Sequence, residues 1–174
     1  DMNWPALQAE SAAAECLQYW QDIGLVEKVT HGTGDALTFV HKTFAEYAAA
    51  RHLRSMSSDE QASAVAEIVQ TPAWFEVLSF AASGGLGDLI FKHMLDAPQS
   101  AVPAIETIKS CLAILKEADS HPSNEIRQDV IRRAFEFVTG ESSADAHSIG
   151  LLLAEVSDRC FTDTREHAAT LLDA

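Results

Sequence analysis

The chain has 174 residues, 47% of them hydrophobic and 22% charged, the proportions of a globular protein able to bury a core rather than of a disordered chain. Lys and Arg number 12 against 26 Asp and Glu, a formal charge of −14 that disfavours generic attraction to nucleic acid or anionic lipid. Cys16, Cys111 and Cys160 are an odd, widely spaced set with no CxxC, which argues against a secreted disulfide framework and predicts three small core side chains in a reducing, cytoplasmic setting. No apolar run reaches the roughly 18 to 20 residues that cross a bilayer, and no charged-then-apolar leader opens the chain. The start at Asp1, in what reads as a helix approach, is that expected of a piece of something longer.

In chain order, residues 5–22 predict a helix, with Pro5 at an N-terminal position and Leu7, Ala14, Leu17 and Trp20 on one face. Gly24 ends it. Residues 25–29 and 36–40 are short β-prone runs around the turn-rich stretch 31–35, so a hairpin is expected. A second helix is predicted from Lys42 or Thr43 to about Met56, with Phe44, Tyr47, Ala48 and Leu53 on its buried side. Helix, hairpin, helix is a winged-helix-like start for residues 1–56.

From Ser57 onward every periodic segment fits helical spacing better than alternation, so 57–174 is read as an all-helical domain and the fold as mainly α. Ser57 and Glu60 predict a capping box for a helix to Gln70 whose apolar face carries Ala62, Val65, Ala66 and Val69. Thr71 as N-cap and Pro72 at the first position restart the chain for a helix through Trp74, Val77, Leu78 and Ala81, stopped by Gly84 and Gly85. Further helices are expected at about 86–96, 100–118, 123–139, 144–157 and 162–173. Their short links predict antiparallel neighbours, either a stacked array of HEAT-like α-hairpins or an irregular bundle; no fixed-period repeat decides between the two. Trp74, Phe75 and Phe80 are aromatic candidates for core packing or for a partner surface.

Residues 37–53, LTFVHKTFAEYAAARHL, carry the most specific pattern in the chain. Phe39 ends a strand and Phe44 and Tyr47 stand three apart on a helix, so the three can converge on one apolar centre. Ala48 to Ala50 allow another helix to come close, and Glu46, pointing away from Phe44, calls for a backbone donor or a basic partner. The stretch resembles the FxHxxFxEYxAAxxL segment of NACHT-type (NLR-like, STAND) signalling NTPases, on Phe39, His41, Phe44, Glu46, Tyr47, Ala49 and Leu53. In that family it lies where the winged helix passes into a helical domain, and the preceding GLVEKV resembles the wing. The resemblance covers about residues 12–56. It implies a nucleotide-binding domain upstream in the same chain, ADP or ATP with magnesium in a full-length ATPase or GTPase, and nucleotide-controlled oligomerisation in antiphage or innate defence. It also implies that His41 contacts the ADP β-phosphate; an imidazole beside the free amides of a helix start suits an anion. A histidine that caps or bridges strand and helix is the other reading.

The chain contains no GxxxxGK[ST], and Gly84 to Asp88 lack the following Lys-Ser/Thr, so they read as a helix-helix turn rather than a phosphate loop. Histidines 31, 41, 52, 93, 121, 147 and 167 form no HExxH and no ligand pair with Cys, so no metal site is expected, and His93, His121, His147 and His167 read as surface residues. No catalytic set can be assembled, and Glu117 and Asp119 read as solvated helix ends. Lys42, Arg51 and Arg54 beside Glu46 are too few for a groove-reading helix. Arg127, Arg132 and Arg133 among Glu125, Asp129 and Glu136 predict a salt-bridged helix face. The expected role is a regulatory or sensor part that meets a protein ligand, with no nucleic acid and no membrane; the alternative is a free-standing helical-repeat scaffold with no nucleotide link. Residues 1–56 carry a net −3 and 57–174 a net −11, so partner binding by the helical part should be salt-sensitive and directed at a basic surface.

Overall fold

A computed structural model describes residues 6–31, 34–97, 104–117, 122–140 and 144–157, together with Arg165, Ala168 and Ala169. The first helix, α1 (Ala6–Asp22), ends as its glycine predicts: Gly24 has φ 73°, its amide donates to the Gln21 carbonyl and the Leu25 amide reaches back to the Trp20 carbonyl at 2.8 Å. This pair of bonds is a Schellman close, which needs a residue at positive φ. Strands β1 (Val26–His31) and β2 (Gly34–Phe39) pair antiparallel with Val26 opposite Phe39 and Lys28 opposite Leu37. The expected hairpin is present. Helix α2 (Lys42–Ser55) follows within a residue of its predicted span. The layout is mainly helical and winged-helix-like at its start.

Two compact units divide between Ala48 and Ala49, inside α2. In the first, Val26 is the single buried hydrophobic side chain among the described residues. Several expectations are corrected there. Phe44 and Tyr47, placed by sequence on the buried side of α2, are 45% and 50% exposed, and Cys16, expected in a core, is exposed. The reason is helix rotation: the buried positions of α2 are Glu46, Ala50 and Leu53, a stripe of i, i+4 and i+7 that puts Phe44 and Tyr47 on another side. The three aromatics therefore do not converge on a buried centre; Phe39 alone is half-buried.

The second unit is helical throughout its described residues. Helix α3 (Ser58–Ile68) starts at the predicted cap, where the Ser57 amide and hydroxyl both donate to the Glu60 carboxylate, at 2.9 and 2.6 Å. The segment after Thr71 is not one helix: a 3₁₀ turn (Pro72–Trp74) precedes α4 (Phe75–Ala81). Gly84 and Gly85 interrupt the helix as the sequence predicts. They lie in the turn Ala82–Leu86, where Gly85 at φ 105° leaves the helical conformation and kinks the chain before α5 (Gly87–Asp96). Helices α6 (Ala104–Glu117), α7 (Asn124–Gly140) and α8 (Ala144–Ser157) occupy the expected stretches. The helix predicted over 162–173 lies outside the described residues, apart from Arg165, Ala168 and Ala169.

Packing follows a ladder. Helix α3 packs on α5, α4 on α6, α5 on α7 and α6 on α8, while neighbours from α5 to α8 also touch. Each helix from α3 to α6 thus meets the one two places on. One core runs through this unit from Ala50 and Leu53 to Val156, with Ile90, Phe91, Leu112, Ile114, Leu115 and Ile131 fully buried. Phe75 and Phe80 pack against it partly buried, whereas Trp74 is 41% exposed.

Candidate functional site

The joint between β2 and α2 gathers the motif. The Val40 amide donates to the Leu25 carbonyl at 3.1 Å and closes the base of the hairpin; the Phe44 amide donates to the His41 carbonyl at 3.1 Å and opens the helix. His41 thus stands immediately before the first turn of a 14-residue helix, exposed, with its ring 6.0 Å from that of Phe44 and tilted by 52°. The first amides of any helix lack intrahelical partners and carry its positive end. No acidic residue occupies the first turn of α2, so no carboxylate of that turn competes for an incoming anion. These residues fit a phosphate.

Glu46 is the buried charge of the motif. Its side chain is 9% exposed, and its Oε1 lies 2.7 Å from the Nζ of Lys42, an ion pair one helical turn back that lacks hydrogen-bond geometry. The basic partner expected from sequence is therefore Lys42, whose own side chain is 78% exposed. Removing the lysine would leave a desolvated carboxylate, the costly case for a buried charge. Ala49 is half-buried and Leu53 buried, as their positions on the helix require.

Two clefts in the second unit had no sequence signal, because their walls come from separate helices, α5, α6 and α7 for the first and α5 and α7 for the second. One, of about 710 Å³, is lined by Met94, Leu95, Thr107, Ile108, Arg132 and Phe137; the other, of about 620 Å³, shares Leu95, Arg132 and Arg133 with it. Their two arginines are already paired. Arg132 pairs with Glu136 at 2.6 Å and with Asp129, and these bonds, Glu136 first, push its pKa further up. The Nε of Arg133 donates to Asp129 at 3.0 Å and its Nη1 to the Leu95 carbonyl at 3.4 Å. The salt-bridged face read from the sequence is present, and it ties up the arginines of both clefts.

Among the described residues no group of three His, Cys, Asp or Glu could hold a metal ion. His147 is exposed and His93 half-buried, while His121, His167, Asp119 and Cys160 lie outside the described residues. Burial pushes the Cys111 thiol up to about 12, so it is inert, with its Sγ 3.9 Å from the Met94 sulfur. No described helix is long and apolar enough to cross a membrane. Comparison of the chain with protein-family models, with curated proteins and with solved structures finds no match.

Proposed function

We propose that this chain is the regulatory or sensor part of a NACHT-like signalling NTPase, with His41 as its contact to bound nucleotide. The observation that carries the reading is the exposed imidazole at the N-terminal end of α2, in a helical turn without acids, at the place where the motif puts a histidine. The winged-helix-like order of helix, hairpin and helix supports it. In this reading the nucleotide-binding domain lies upstream, ADP or ATP with magnesium belongs to the parent, and the acidic helical array meets a protein partner. His41→Ala in the full-length parent should then speed ADP release about tenfold, the loss of one hydrogen bond to a charged group, and raise basal signalling. ADP retention equal to that of the unaltered parent would overturn the assignment.

A protein-binding scaffold of stacked α-hairpins with no nucleotide link is the second reading, favoured by the packing ladder of α3 to α8. The reading frame preceding Asp1 separates the two. Walker A and Walker B segments there support the switch; their absence from the mature protein supports the scaffold.

A further inference from the structure

We draw no further inference here: the strongest candidate, the cleft of about 710 Å³ among α5, α6 and α7, carries nothing because its two arginines are already held by Asp129 and Glu136 and nothing in the structure shows what covers its apolar wall of Met94, Ile108 and Phe137.

Discussion

Glu60 is a fully exposed carboxylate whose ionised form the fold nevertheless favours. The Ser57 hydroxyl first, and its amide second, hold the Glu60 carboxyl below the ordinary glutamate range. A carboxyl with a lowered folded pKa contributes in full above the range of the free acid and loses that contribution as pH falls through the folded value. Thermal unfolding of Glu60→Gln, followed from about pH 6 down to about pH 3, should therefore converge on that of the unaltered chain at the acid end. A constant gap across that range would mean the cap acts through shape alone. This cap was legible in four consecutive residues because a capping box is closed within one turn. Glu46 was half legible. Its need for a cation followed from its charge, but its burial depended on which side of α2 faces inward, and that was set by Ala50 and Leu53.

At the scale of elements, the glycines between α4 and α5 show how one backbone angle redirects two helices. Gly85 at φ 105° is strained for any side chain, so Gly85→Ala should cost about 1–2 kcal/mol in denaturant unfolding. Gly84 is constrained differently. A Cβ there would lie 2.5 Å from Cδ of Arg54, which crosses the turn from α2, so Gly84→Ala displaces a flexible side chain rather than the backbone. The Arg54→Ala background should relieve Gly84→Ala and leave the cost of Gly85→Ala unchanged, and a double-mutant cycle reads that difference directly. Sequence marked both glycines as punctuation. It could not show the direction in which α5 leaves the kink, which depends on how α5 docks against α3, α6 and α7.

Across the whole molecule, burial is divided unequally. The second unit holds a continuous core from Ala50 to Val156, whereas the first buries Val26 among its described hydrophobics. An isolated two-stranded hairpin has little stability of its own. Hydrogen exchange should accordingly find the amides of β1 and β2 protected far less than those around Leu112 and Ile131, which open only with the core. Equal protection in the two regions would show that the hairpin unfolds together with the helical array. The acidity is divided too, with the helical part carrying most of it.

Element type and extent were readable along the chain because caps, turn residues and periodicity act over a few neighbouring residues. The Gly24 close, the hairpin, the Ser57 start and the spans of α5, α7 and α8 all come from such local chemistry. Which side of each helix is buried came only with tertiary structure. Helices α1 and α2 each offer more than one plausible apolar stripe, and packing free energy, rather than local preference, selects among stripes. Which helices pack together likewise came only from long-range contacts, since the ladder of α3 on α5 through α6 on α8 joins residues far apart in the chain and leaves no trace in any short window.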